Sequence, residues 1–240
     1  MKPDQLPLTM RWPPQQRFET FHAGENGPAV DLVRRAATDA DAAWVFVSGA
    51  AASGKTHLLI AACAAASTGG RRAQYLSLRS LRGGVADAVR ALGGSDLLVL
   101  DDLDAIAGDR EAEHALFDLY NRCKAERSTL LFAASRVPAQ LSIGLPDLVS
   151  RLSACAQAPL KPLGDEARRD VLHERASARG IELDDAALDW LFARTERDLG
   201  SLTALLDRLD RESLAAKRRV TVPFLRKLLA TREGVDNGQR

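Results

Sequence analysis

The chain has 240 residues, 46% of them hydrophobic and 27% charged, with a formal net charge of +1. This usage excludes a disordered or low-complexity chain and leaves length for one large domain and a small one. The balanced charge leaves no global footprint for nucleic acid, and three scattered cysteines, Cys63, Cys123 and Cys155, show no disulfide framework or Cys-x-x-Cys site. His22, His57, His114 and His173 form no metal-ligand spacing. Nothing reads as a signal peptide or as an apolar run of spanning length, so a cytoplasmic protein with reduced thiols is expected.

Residues 1–17 carry four prolines and read as a tail without regular structure. Leu6, Leu8, Met10 and Trp12 nevertheless alternate, so an extended segment would show them on one side. That pattern suits either a partner's groove or a tail folded onto its own domain. Phe18 to Pro28 reads as a loop with two aromatic anchors, Phe18 and Phe21, and Ala29 to Ala37 as a helix.

Trp44 to Thr56 reads Trp-Val-Phe-Val-Ser-Gly-Ala-Ala-Ala-Ser-Gly-Lys-Thr. An apolar β-forming run is followed by Gly-x-x-x-x-Gly-Lys-Thr and then by a helix-forming stretch from His57 to Ala66. Strand, glycine-rich loop and helix, in that order, make a phosphate-binding loop. Gly49 and Gly54 let the backbone N–H groups, with that of Ser53 among them, approach phosphate oxygens. The helix N-terminus adds partial positive charge. Lys55 is a point charge for the β- and γ-phosphates, and the Thr56 hydroxyl is a ligand for Mg²⁺. His57 either faces the nucleotide or lies on the helix surface.

Ala73 to Leu78 is the expected second strand, and Leu81 to Leu92 a helix weakened by Gly83 and Gly84. Asp96 to Asp102 is an apolar run ending in acid, the Walker B pattern. Ligands of open α/β sheets lie beyond the carboxyl ends of the strands, so Asp101 is placed to hold Mg²⁺ and Asp102 to act on the attacking water. Gly108 to Glu126 is a long helix, and Thr129 to Ser135 a fourth strand. Ser135, at the strand's carboxyl end, is either a γ-phosphate sensor or only a strand terminus. Asp147 to Leu152 reads as a short helix and Ala154 to Ala158 as a fifth strand.

Pro162 and Gly164 mark a domain boundary, with a nucleotide-binding domain over 18–162, a helical domain over 163–231 and a disordered end over 232–240. Asp165 caps one expected helix that Gly180 stops, and Asp184 caps a second with Leu188, Leu191 and Phe192 as its apolar face. Asp198 starts a third and Thr221-Val222-Pro223 a fourth. From Leu163 to the end, 15 basic residues face 15 acidic ones, which argues against a DNA-binding module.

The architecture is therefore α/β: a P-loop domain with a parallel sheet flanked by helices, then a small all-α lid. This order resembles the AAA+ ATPases. Gly-Ala-Ala-Ala-Ser-Gly-Lys-Thr at 49–56, Leu-Val-Leu-Asp-Asp at 98–102, Phe-Asp-Leu-Tyr-Asn at 117–121 and Gly-Leu-Pro-Asp-Leu-Val-Ser-Arg-Leu at 144–152 look like the DnaA family. The last two stretches are closer to its Hda-type regulators, as is the closing Thr-Val-Pro-Phe-Leu-Arg-Lys-Leu-Leu. The resemblance implies a DnaA relative without the DNA-binding domain.

It also implies a function: a nucleotide-binding adaptor, with ADP or ATP and Mg²⁺ as cofactors, that restrains replication initiation. Its implied partners are the DNA polymerase III sliding clamp and the initiator DnaA, with self-assembly left open. Gln5, Leu6, Leu8 and Met10 are similar to the family's clamp-binding motif, Gln5 entering a polar subsite and Leu8 with Met10 an apolar one. Arg151 is implied as an arginine finger acting on the neighbour's nucleotide. Two departures stand out. Walker B ends in Asp101-Asp102 where most AAA+ proteins have Asp-Glu, a variant the DnaA-like branch shares. Gly200 stands where a lid sensor arginine is expected, with Arg197 or Arg194 as the substitutes at hand, so the chain's own hydrolysis is expected to be weak. The other function class considered is an autonomous ATPase or helicase loader, since Lys55, Thr56 and Asp101 are all present.

Overall fold

The computed structural model describes residues 12–81, 83–178, 180, 181, 183 and 185–194. The chain divides into two compact units, Met1–Pro162 and Leu163–Arg240.

The first unit is built on five parallel strands: β1 (Val45–Gly49), β2 (Ala73–Ser77), β3 (Leu97–Asp101), β4 (Thr129–Ala134) and β5 (Ala156–Leu160), in the order β2-β3-β4-β1-β5. The helices are α1 (Gly27–Thr38), α2 (Lys55–Thr68), α3 (Val85–Ala91), α4 (Arg110–Glu126) and α5 (Pro146–Ser153). The central strands are continuous apolar runs because helices cover both faces of the sheet. Successive side chains go to opposite cores. Val45, Val47, Leu97, Val99, Leu131 and Ala133 pack toward α1 and α2. Phe46, Leu98, Leu100, Leu130 and Phe132 pack toward α3, α4 and α5. All strands being parallel, their carboxyl ends lie along one edge, where the loops after β1, β3 and β4 meet.

Several boundaries differ from those the sequence suggests. The expected loop before Ala29 contains two short 3-10 turns, Phe18–Thr20 and Gly24–Asn26, and Pro28 enters the first turn of α1. The expected helix from Leu81 begins only at Val85, because Gly83 (φ 143°) and Gly84 (φ 65°) adopt a backbone that cannot continue a helix. The fifth strand starts two residues late. Ala154 and Cys155 still donate to the last carbonyls of α5, and the ladder begins where the Ala156 N–H reaches the Trp44 carbonyl. It also runs through Pro159, which an edge strand tolerates.

The described end of the tail, Trp12 to Arg17, folds onto its own unit instead of standing free. Trp12 packs on the α1–α2 core and donates from Nε1 to the Ser67 hydroxyl, at 3.0 Å. The Arg17 guanidinium gathers the carbonyls of Trp12, Pro13 and Gln16. Of the four alternating apolar residues, Trp12 therefore serves the chain's own core. Gln5, Leu6, Leu8 and Met10 lie outside the described residues.

In the second unit, α6 (Asp165–Ser177) and α7 (Asp185–Arg194) are described. Gly164, not Asp165, is the cap of α6, and Asp165 sits in the first turn, where its charge suits the helix dipole. Gly180 (φ 69°) follows the helix end as expected of a stop signal. Leu188, Leu191 and Phe192 are buried, as their spacing predicts. The expected helices from Asp198 and Thr221, together with Arg197 and Gly200, lie outside the described residues, as does the side chain of Arg194. Among the described residues no helix is long and apolar enough to cross a membrane.

Candidate functional site

The site is assembled where β1 and β3 end. Gly49 closes β1 so tightly that a Cβ there would lie 2.6 Å from Ser53 Oγ and 2.8 Å from the Leu160 carbonyl. Gly54 turns the loop into α2 at φ 95°, and a Cβ there would meet the edge of the Phe21 ring at 2.8 Å. Both glycines are thus demanded by geometry, one by close approach and one by backbone hand. The Ser53 hydroxyl is buried inside the loop without a hydrogen-bond partner. Leaving such a group unpaired costs about 1–3 kcal/mol, so a phosphate oxygen is the kind of acceptor that the loop fits.

Lys55 curls over the loop and donates from Nζ to the carbonyls of Gly49 (2.7 Å) and Ala50 (2.9 Å). Burial depresses its pKa, and the surrounding Asp101, Asp104 and Asp102 oppose that without cancelling it. A half-desolvated ammonium surrounded by carbonyls and carboxylates is a cation held ready for an anion. The Thr56 hydroxyl donates to Asp101 Oδ2 at 2.6 Å. Asp101 is 1% exposed, takes a second hydrogen bond from the Tyr75 hydroxyl (2.9 Å), and receives the Asp102 N–H at Oδ1. Burial and the Asp101 charge both raise the Tyr75 pKa, so its phenol remains a donor. Thr56 and Asp101 therefore present adjoining oxygens, the donor set of a hard divalent cation.

Asp102 adopts a left-handed backbone (φ 60°, ψ 47°) that turns its side chain toward the end of β2. There the Ser77 hydroxyl donates to Oδ2 at 3.1 Å and Arg79 Nε lies 3.6 Å from Oδ1. Ser135 is engaged by Asp104, which accepts from the Ser135 N–H (2.9 Å) and from its hydroxyl. These two residues, with Arg136 and Gln140, line a cavity of about 300 Å³. Burial pushes the Asp104 carboxyl up, but the two Ser135 bonds and the Arg79 charge outweigh it and hold its pKa below the ordinary carboxylate value. Its contribution to stability is therefore complete above the unfolded value and is lost as pH falls through the lower folded value. The Ser135 amide signal, followed by NMR as pH falls, should move at a lower pH than that at which the exposed carboxylates titrate.

His57 does not face the loop's interior. Its Nε2 lies 3.0 Å from the Arg17 carbonyl, and its ring stands edge-on to Phe21, with centroids 5.3 Å apart. The segment before α1 is thereby fastened to the start of α2. Asn26, 4% exposed, ties the same segment to the end of β5 by bonding both the N–H and the carbonyl of Lys161. Arg151 is not part of this assembly. Its guanidinium lies over two rings of α4, 4.9 Å from the Phe117 centroid and 5.3 Å from that of Tyr120. Among the described residues no carboxylate forms an ion pair with it.

The structure thus unites Ser53, Lys55, Thr56, Asp101 and Asp102, attaches Ser135 through Asp104, sets His57 against the Phe21 ring that borders Gly54, and places Arg151 elsewhere. Sequence reasoning missed Asp104, Tyr75 and Arg79. Asp104 had a signal, as the third acid of Asp-Asp-Leu-Asp. The other two become neighbours of the site only through strand pairing.

Comparison with known proteins gives the family and the fold. The model of the bacterial DnaA ATPase domain matches residues 13–158, and that of the Hda lid domain matches residues 165–229. Replication initiator DnaA bound to AMPPCP and single-stranded DNA is 23% identical, with 86% of this chain and 69% of that chain covered at a TM-score of 0.67. AMPPCP-bound DnaA from Aquifex aeolicus is 24% identical, with 82% and 65% covered at 0.69. Domain III of the Thermotoga maritima replication initiation protein DnaA is 20% identical, with 92% and 98% covered at 0.78. At these identities the solved structures show a shared fold, and this chain spans about two thirds of the length of the first two. A DnaA ATPase domain followed by an Hda lid domain places the chain in the DnaA-related AAA+ family, among its Hda-type members.

Proposed function

We propose that the chain is a negative regulator of replication initiation: a nucleotide-binding AAA+ adaptor that docks on the sliding clamp and stimulates ATP hydrolysis by DnaA. The nucleotide is ADP or ATP. Ser53, Gly54 and Lys55 would hold its phosphates, and Thr56 with Asp101 a Mg²⁺ ion that neutralises them. The AMPPCP carried by two of the DnaA structures supports this reading of the loop.

The observation that carries the adaptor reading is the position of Arg151. A cation resting on aromatic rings, with no ion-pair partner among the described residues, is available to a charge on another molecule. In a neighbouring DnaA that charge would be the one developing on the γ-phosphoryl group, which an arginine supplied in trans stabilises. Gln5, Leu6, Leu8 and Met10 are assigned to the clamp, and Ser135 and Asp102 to the chain's own nucleotide.

The test is hydrolysis of ATP preloaded on DnaA, with this chain and DNA-loaded clamp added together and each omitted in turn. Rapid hydrolysis only when both are present is the expected result, and Gln5→Ala should then reduce it by weakening clamp docking. Hydrolysis by the chain alone, with the ATP on DnaA untouched, would instead assign it to autonomous ATPases or helicase loaders.

A further inference from the structure

One buried charge has no part in the nucleotide site. Glu113, in the first turns of α4, is 2% exposed. No cation meets it. Instead its carboxylate accepts the Gly108 N–H at Oε1 (2.9 Å), the Gly144 N–H at both oxygens (3.0 Å each) and the Leu145 N–H at Oε2 (2.9 Å). A carboxylate withdrawn from water is tolerated when donors surround it, and here they are backbone groups of two loops. Gly144 and Leu145 are the residues that lead into α5, with Leu145 its cap. Glu113 therefore grips the N-terminal end of the helix that carries Arg151.

The same helix face grips the other end. Glu113, Phe117 and Tyr120 are spaced by four and three residues, which aligns them on one side of α4. The first bonds the start of α5, and the other two underlie the Arg151 guanidinium. A short helix fixed at its entrance by a multiply bonded carboxylate, and at its last turn by ring contacts, has little freedom to tilt or slide.

We infer that Glu113 is a positioning residue that sets α5, and through it Arg151, at the angle needed to reach the nucleotide of a neighbouring molecule. The inference rests on the adaptor reading above. Glu113 touches neither nucleotide nor partner and acts through backbone bonds alone. Glu113→Gln keeps the size but replaces one acceptor oxygen by an NH₂ donor. Its amide cannot satisfy all three N–H groups and must set one donor against another.

The experiment uses the full chain with clamp on DNA and DnaA preloaded with ATP. Glu113→Gln should lower the maximal rate of stimulated hydrolysis by about tenfold to a hundredfold, the cost of misplacing a reacting group by an ångström or so. The DnaA concentration giving half the effect and the chain's own ADP affinity should stay as in the wild type. Amide hydrogen exchange at Gly144, at Leu145 and along α5 should quicken. Adding Glu113→Gln to Arg151→Ala should change the rate no further, since both act through one group.

An unchanged maximal rate overturns the inference. So does a parallel loss of ADP affinity, which would make Glu113 a general stability residue, and so does a double variant slower than Arg151→Ala. If Arg151→Ala keeps full stimulation, the finger reading itself fails and takes the positioning role with it. Unaltered exchange at Gly144 and Leu145 would show instead that the clasp alone is wrong.

Discussion

Arg151→Ala is expected to lower clamp-dependent hydrolysis of DnaA-bound ATP about a thousandfold or more, the worth of an arginine finger supplied in trans. The loss should fall on the reaction and not on folding. The guanidinium is half-buried and its contacts in this chain are with the Phe117 and Tyr120 rings, which contribute about 1–2 kcal/mol at most. ADP titration and clamp binding of the variant should therefore match the wild type. Arg151→Lys separates charge from shape. A compact ammonium on a different stem does not reproduce the planar fork, so only a minor part of the rate should return. Wild-type stimulation by Arg151→Ala in single-turnover hydrolysis would sink the adaptor mechanism.

Gly54→Ala is expected to lower ADP affinity at least about tenfold and to reduce the melting temperature by several degrees. Two costs add. The left-handed backbone at φ 95° disfavours any L-residue by about 1–2 kcal/mol. The new methyl would also stand 2.8 Å from Phe21 Cε2, a ring already set edge-on against His57. Relief of that contact must move either the ring or the loop, and moving the loop displaces the N–H groups meant for phosphate. A loss of about 2 kcal/mol corresponds to roughly 4–8 °C for a domain of this size. Calorimetry with and without ADP measures both effects. Adding Phe21→Leu should restore part of the stability, because it removes the steric share and leaves the backbone share. No restoration would mean that the ring yields freely and that backbone strain dominates.

The partners of Asp102 bear on the chain's own chemistry. Ser77 and Arg79 hold its carboxylate toward the end of β2. Arg79 is 71% exposed, so the ion pair itself contributes little, and the left-handed backbone at Asp102 does more to set the direction.

The thiols are inert for a local reason. Cys63 is pushed up to about 12 by burial, and burial likewise raises Cys123 and Cys155 to about 11. None is a nucleophile at neutral pH.

Much of this protein is determined locally and was legible in the order of residues. Strand, Gly-x-x-x-x-Gly-Lys-Thr and helix from Trp44 onward, and an apolar run ending in Asp101, specify their geometry through period, glycine placement and the chemistry of phosphate and cation. Leu188, Leu191 and Phe192 likewise declare a buried helix face by spacing alone. Other features depend on which elements become neighbours. β3 lies beside β2, and so Tyr75 reaches Asp101 and Ser77 reaches Asp102 across the sheet. The loop after β4 folds back over the turn after β3, and so Asp104 captures Ser135. Helix α4 lies against α5, and so Glu113 bonds backbone 31 and 32 residues away while Phe117 and Tyr120 receive Arg151. Hydrogen bonds and ring contacts between residues so far apart along the chain leave no periodicity to read. They arise only when burial of the two cores brings the elements together, and it is there that the tertiary structure, not the sequence alone, decides what each polar side chain can do.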